Sequence, residues 1–424
     1  MTGTTLPPMQ WASALSTKAS LEAAVRDVIA QIEQQLSTPP DLGLVFISAA
    51  FASEYPRLLP LLHEWLTVPV LVGGSGGGVV GQNAGAVVEM EQKPALSLCL
   101  ATLPGVTVKS FRFKDDDLPD LDAPPQAWID LIGVDPAVQP QFVLLADPFS
   151  SGINDLLQGL DFAYPGAVKV GGLTSSGLQG SGSGLFCDRG FYDDGVVGIA
   201  LWGDVVLDAV VAQGCRPIGQ PYRVAEGERN IVLKLEADGD DLTVGEARPT
   251  LEVMQEMLKD MDEGDRKLAQ HSLFIGIAKD GFKRRLGQGD FLIRNLLGVD
   301  PRVGAIAIGD RIRPGQRIQF HLRDARTSAE DLDHLLQEYQ SHVSSAAAPP
   351  AGALMFACMG RGEGLYQEPN FDSQLLGKHL GQLPISGFFC NGEIGPIGDT
   401  TYLHGYTSVF GICRRPYEGE GVRG

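Results

Sequence analysis

From Ile385 to Cys413 the chain reads ISGFFCNGEIGPIGDTTYLHGYTSVFGIC, two apolar runs around a polar loop, and here a thiol (Cys390), a carboxylate (Glu393), an imidazole (His404) and the hydroxyls of Tyr406 and Thr407 lie close together. Cys390, His404 and Glu393 have the types needed for a nucleophile, its base and an orienting acid, because a thiolate needs a nearby imidazole to be populated at neutral pH. Their spacing matches no familiar cysteine hydrolase, and a buried cysteine at a strand end is the competing reading. A second chemistry is binding. Arg361 sits in MGRGEG between glycines that let a ligand approach the backbone. Its guanidinium would grip a carboxylate through two parallel hydrogen bonds, while Glu393 holds an ammonium with Asn391 bridging, a set that suits an amino acid or a similar zwitterion. The competing reading is an Arg361 to Glu393 salt bridge that only ties two loops. Adding Asp399 gives donors for a metal, but without CxxC or HxxxH spacing no metal is expected, and no cofactor.

Glycine turns offer a third source of binding groups. The run GGSGGG at 73–78 contains lookalikes of the hydrolase nucleophile elbow and of the dinucleotide fingerprint. Both require a helix directly afterwards, whereas Val79 onward is not helical. Successive glycine amides, Gly73 and Gly74 with Ser75, remain a candidate nest for a carboxylate or phosphate. Gly171, Gly172 and Thr174 in GGLTSSG at 171–177 would be its equivalent, with Thr174, Ser175 and Ser176 as extra donors.

These groups must be positioned by a repeated scaffold. After a polar segment over residues 1–16, expected to be loosely held, Leu21, Val25, Val28, Ile32 and Leu36 recur with helical spacing. A strand at Leu42 to Ile47, a helix marked by Leu58, Leu62 and Trp65, and a strand at Val68 to Val72 lead into the glycine run, and Ala86 to Met90, Ala95 to Leu103 and Val106 to Phe113 suggest a meander. The order returns: Phe142 to Ala146, a helix with Leu156 and Leu160, then Val168-Lys-Val-Gly-Gly answering Val70-Leu-Val-Gly-Gly, closed by Val196 to Trp202 and Val205 to Val211. A third, looser copy runs from Ala353 to Met359 through a helix near Leu375 to Ile385-Ser-Gly and Thr407 to Cys413. Matching units imply duplicated structure. Whether the three turns converge or each serves its own unit stays open. The fold expected is α/β, with α+β as the alternative: two domains of mixed β-sheets with covering helices, built from strand-helix-strand-meander units. Residues 1–38 form a leading segment and helix, 39–240 a first domain with its duplication near 42–113 and 141–213, and 241–424 a second, divided at the acidic stretch Asp238 to Gly245.

Composition sets the boundaries of function. The 33 basic against 52 acidic side chains give a net charge of −19, so nucleic acid and anionic membranes would be repelled and neither is expected as a partner. No apolar run reaches bilayer length and no leader pattern opens the chain. The six cysteines fall at wide spacings, most simply free thiols of a cytoplasmic protein.

FFCNGEIGP followed by YLHGYTS resembles the C-terminal half of the FIST domain proteins, and the two-part layout over roughly residues 40–415 is similar to a FIST N-terminal and C-terminal pair. The resemblance implies a sensory, ligand-binding module for small molecules such as amino acids, of the kind found in bacterial signalling proteins and in an F-box protein. With few residues ahead of Leu42 for an F-box and no attached kinase, cyclase or chemoreceptor segment, signalling is expected to pass through a protein partner. An enzyme using Cys390 and His404, and an interaction scaffold without a small ligand, are the alternatives.

Overall fold

A computed structural model describes residues 7–175, 182–238, 246–287, 289–344 and 349–417. The chain packs as two compact units, Met1–Ala212 with Asp333–Gly424, and Gln213–Leu332. Both are mixtures of β-sheet and covering helices.

The first unit is a threefold repeat. Its first sheet runs, in spatial order, Gln10–Ser16, Leu96–Thr102, Leu42–Ser48, Val70–Gly76, then the hairpin Leu185–Cys187 and Gly190–Tyr192. The second runs Val106–Phe113, Val196–Gly203, Gln141–Ala146, Lys169–Leu173, then Glu393–Ile397 and Thr400–His404. The third runs Val206–Ala212, Ser408–Arg414, Gly352–Cys358, Ile385–Cys390, then Gly78–Asn83 and Ala86–Glu91. In each, only the third and fourth strands are parallel to one another. The last two strands of every sheet are a hairpin lent by another repeat, so each repeat closes its neighbour's edge. The inner faces share one apolar core in which Phe46 stacks on Phe388 at 5.3 Å and meets Phe356 edge-on.

Helices cover the outer faces. Leu21–Ile32 starts where the Ser20 side chain accepts from the Ala23 amide, and buries Leu21, Val25, Val28 and Ile32. Tyr55–Trp65 tolerates Pro56 in its first turn and carries Pro60 as well. Ile153–Ala163 and Phe371–Leu380 hold the equivalent place in the other repeats.

Several expectations are corrected. Residues 10–16 are not loose: they form a strand paired with Leu96–Thr102, with Trp11, Ala12, Ala14 and Leu15 buried. The runs after the glycine stretch are no meander, because Ala86–Glu91 pairs with Gly78–Asn83, Leu96–Thr102 inserts between two strands of its own repeat, and Val106–Phe113 opens the next. Val206–Ala212 likewise opens the third repeat rather than closing the second. The strand at Val70 runs on through Gly73, Gly74 and Ser75 to Gly76, and Gly78 begins the next strand, so the glycine run is mostly sheet.

The second unit is an antiparallel sheet closed on itself. Cys215–Glu228 pairs with Arg317–Arg323, which pairs with Leu273–Ala278, then Phe291–Asp300, Ala305–Ile308 and Ile231–Ala237, and the last returns to Cys215–Glu228. It interrupts the third repeat between Ala212 and Asp333, whereas the acidic stretch taken from the sequence as the boundary lies within it, with residues 239–245 outside the described residues. The difference has a physical source: strand Val206–Ala212 finds its partner at Ser408–Arg414, far along the chain.

Candidate functional site

The three parallel strand pairs each need a glycine at the same register. Gly73 faces Val45, Gly171 faces Leu144 and Gly387 faces Met355, and a β-carbon at these glycines would fall 1.9, 1.8 and 1.9 Å from the opposing carbonyl oxygens. Only glycine permits that approach. Just beyond, the strand ends close on one another. The amide of Gly77 donates to the Phe389 carbonyl at 3.3 Å, that of Asn391 to Leu173 at 3.0 Å, and that of Ser175 to Ser75 at 3.1 Å. Donor and acceptor lie two positions apart in every repeat, with one residue between them, so the bonds form a cyclic ring. The three turns converge on one place.

Side chains reinforce the ring. The Ser175 hydroxyl donates to the Phe389 carbonyl at 2.7 Å and accepts from the Gly77 amide at 2.7 Å. Ser75 accepts from the Gly184 amide, and Thr174 donates to the Ala146 carbonyl. The glycine amides are therefore spent on the protein itself: Gly73 and Gly74 stand in register with Phe186 and Leu185, and Gly77 serves Ser175 and Phe389. This corrects the nest expected at 73–75, since a nest needs free, converging N–H groups. Ser176 and Gly177 lie outside the described residues.

The carboxyl-terminal cluster adjoins the ring through Cys390, next to Phe389, and Glu393, two positions after Asn391. Glu393 is fully buried, stands in register with Gly172 and His404, and accepts from the Thr407 amide at 3.1 Å. His404 is buried, with Nε2 at 3.0 Å from the Gly395 carbonyl. Cys390 packs against Gly172, where a β-carbon would come within 2.4 Å of its sulfur. Burial, then the neighbouring Glu393 charge, hold the Cys390 thiol well above its ordinary range. This is the opposite of an activated nucleophile. Alkylation of the native protein near pH 8 should therefore mark half-buried Cys358 and leave Cys390 unlabelled, as read by peptide mass spectrometry, and rapid labelling of Cys390 would contradict this burial. Among the neighbouring turn residues, Asn391 is exposed, and Gly77, Met359, Gly360 and Tyr406 are half-buried, the last with φ +61°.

Arg361 takes a place of its own. It is fully buried and grips Asp372 through Nε at 2.7 Å and Nη2 at 3.0 Å, with the Tyr366 hydroxyl as a further partner of Nη2. The salt bridge weighed in the sequence thus exists, but to Asp372 instead of Glu393. Beside it Glu89, also buried, accepts from the Ser373 amide at 2.7 Å at the start of the helix Phe371–Leu380. Burial and then the Asp372 charge push the Glu89 carboxyl up to about 8. A hydrogen-bonded path links the two clusters, from the Thr407 carbonyl to the Cys358 amide and from the Cys358 carbonyl to the Arg361 amide. Glu89, Asp372, Tyr366 and the role of Ser175 were missed in the sequence. Glu89 sits in an ordinary strand pattern, AVVEME, and nothing local marks it as the buried acid of the group.

The chain is similar to known proteins over most of its length. The FIST N domain matches residues 41–238 and the FIST C domain residues 250–396. An uncharacterised protein of Mycobacterium tuberculosis is 32% identical over 399 residues, covering 94% of this chain and 98% of its own length. One from Mycobacterium bovis is 32% identical over 397 residues, 94% of this chain and 96% of its own. An F-box/LRR-repeat protein of Arabidopsis thaliana is 27% identical over 115 residues, 24% of this chain and 22% of its own. Among solved structures, a cyanuric acid hydrolase aligns with 8% identity and a TM-score of 0.33, covering 96% of this chain and all (100%) of that one.

Proposed function

The chain belongs to the FIST family, carrying its N and C domains in one polypeptide, and from this premise we propose that it is a small-ligand sensor whose ligand sits on the ring of converging turns. FIST domains are recognised as small-ligand sensory domains. The observation that carries the placement is the ring itself, with a buried carboxylate, Glu393, two positions on from the ring amide of Asn391 and in register with Gly172. Three chain segments meet there, and a ligand touching the turns would touch all three repeats at once. Ligands of α/β sheets gather at the carboxyl ends of parallel strands, which is where these turns lie. A carboxylate this close to the turns supplies negative charge on the side from which an ammonium would approach.

In this reading the ligand is a small molecule with an amine, an amino acid being the class to try first. Its ammonium is received on the Glu393 side, with Asn391 and Tyr406 at the mouth. Arg361, buried and paired in two bonds with Asp372, holds the loop from Met359 to Gly362 in place rather than gripping a ligand carboxylate. The signal passes to a protein partner.

The test is a thermal-shift screen of amino acids, amines and small carboxylates. A ligand at one hundred times its dissociation constant should stabilise by about 2.7 kcal/mol, and Glu393→Gln should remove the shift. A flat response to every class, or a shift that survives Glu393→Gln, would sink this placement.

A further inference from the structure

The unit Gln213–Leu332 carries a groove of about 630 Å³ that the family reading leaves unused, within the size range of small-molecule sites. It opens where strand Cys215–Glu228 breaks register between Ile218 and Tyr222. Irregularities of this kind bend a strand and re-aim its side chains, and they recur beside binding sites. At the break Gly219 adopts φ +60° and lies against Met257, its carbonyl held by the Gln319 side chain at 2.9 Å. The break is thus fixed in shape.

The floor of the groove is apolar and adaptable: Leu235 and Val253 are buried, and Met257 and Met261 are half-buried. Methionine fits irregular apolar shapes at little cost and contacts aromatic rings well. Tyr222 adds a ring to the wall, beside Gln220. The rim decides the charge. It holds three carboxylates, Glu246, Glu256 and Asp260, against one guanidinium, Arg248. Arg248 is already occupied, with Nη1 and Nη2 on the two oxygens of Glu256 at 2.8 and 2.6 Å and Nη2 also on Glu252 at 3.0 Å. It has little left for an anion. Glu246 and Asp260 form no ion pair among the described residues. An apolar floor beside the Tyr222 ring, under an unbalanced acidic rim, suits a cation with a flat hydrophobic body.

We propose that this groove is a second ligand site, separate from the ring of turns, and that it takes a small aromatic amine. The probe is tryptamine, compared with tryptophol and indole-3-acetate, which present the same ring with neutral and negative ends. Calorimetric titration of the full chain should show saturable tryptamine binding and at least about tenfold weaker binding of indole-3-acetate. Met257→Trp, which narrows the groove at the register break, should weaken binding at least about tenfold. The rim pair Glu246→Gln with Asp260→Asn, at positions that pack against nothing essential, should weaken tryptamine roughly fivefold to tenfold with the thermal midpoint kept. Glu393→Gln should leave tryptamine binding unchanged, which separates this site from the one proposed above. Absence of tryptamine binding, equal binding of all three probes, or binding unaltered by Met257→Trp and by the rim pair would each overturn the proposal.

Discussion

Gly171→Ala should cost more than about 4 kcal/mol, or leave the protein insoluble, and Gly73→Ala and Gly387→Ala should behave alike. At each position the new methyl would lie within 2 Å of a backbone carbonyl on the parallel neighbour, Leu144, Val45 or Met355, where no rotamer change gives relief. The strands would have to part at the one parallel pairing of each sheet, and the turn amides of Gly77, Ser175 and Asn391 would then be carried out of their ring. Gly171 adds strain of its own, since its φ of +152° lies in the range that side chains avoid. The contrast is Gly377→Ala. That glycine sits inside the helix Phe371–Leu380 with open space around it, and alanine there should stabilise by about 0.5 to 1 kcal/mol. Urea unfolding of the four variants separates the cases, and a Gly171→Ala protein within about 1 kcal/mol of the parent would refute the steric argument.

What the sequence revealed follows from what local pattern encodes. The spacing of Val70-Leu-Val-Gly-Gly and Val168-Lys-Val-Gly-Gly exposed the duplication because the parallel pair forces a glycine at one register, and that requirement leaves a visible mark. Signature text at NGEIGP and YLHGYTS pointed to the family for the same reason: turns and tight packing restrict residue type at fixed places. Partner choice leaves no such mark. Ala86–Glu91 reads as a strand wherever it pairs, so nothing local says that its hairpin closes the third sheet rather than the first. Strand Gln10–Ser16 was hidden because both of its faces are buried with small residues and serines among the apolar ones, which blurs any period of two.

The site divides along the same line. Glu393 and His404 lie on one hairpin, with Cys390 ending the strand before it and Thr407 just ahead of the strand after it, so their nearness was visible as sequence proximity. Ser75 and Ser175 are a hundred residues apart by the separation of their hydrogen bond, and only the cyclic closure of the repeats brings them together. Arg361 was recognised as unusual from its glycine neighbours, but its partner was misjudged, since Asp372 looks like any acidic residue in the first turn of a helix.

Arg361→Ala should be the most damaging change outside the glycines, at about 3 to 5 kcal/mol, because it strands Asp372 in the interior next to Glu89. Replacing the pair together, Arg361→Met with Asp372→Leu, should recover much of the loss, as an apolar pair carries no desolvation cost. A double-mutant cycle by denaturant unfolding gives the coupling, and additive losses would show that the pair does not act as one unit. The same cluster makes stability fall with pH. Glu89 has a folded value of about 8 against an ordinary 4.5, so the native state binds more protons than the unfolded chain between those limits. Its favourable contribution is complete below pH 4.5 and is lost as pH rises through 8. Glu89→Gln keeps the acceptor for the Ser373 amide and removes the titration, so its unfolding free energy should decline less across that window and exceed the parent's above it. Parallel pH profiles of parent and variant would show that the carboxyl is ionised throughout, and would reassign the pH dependence to another group.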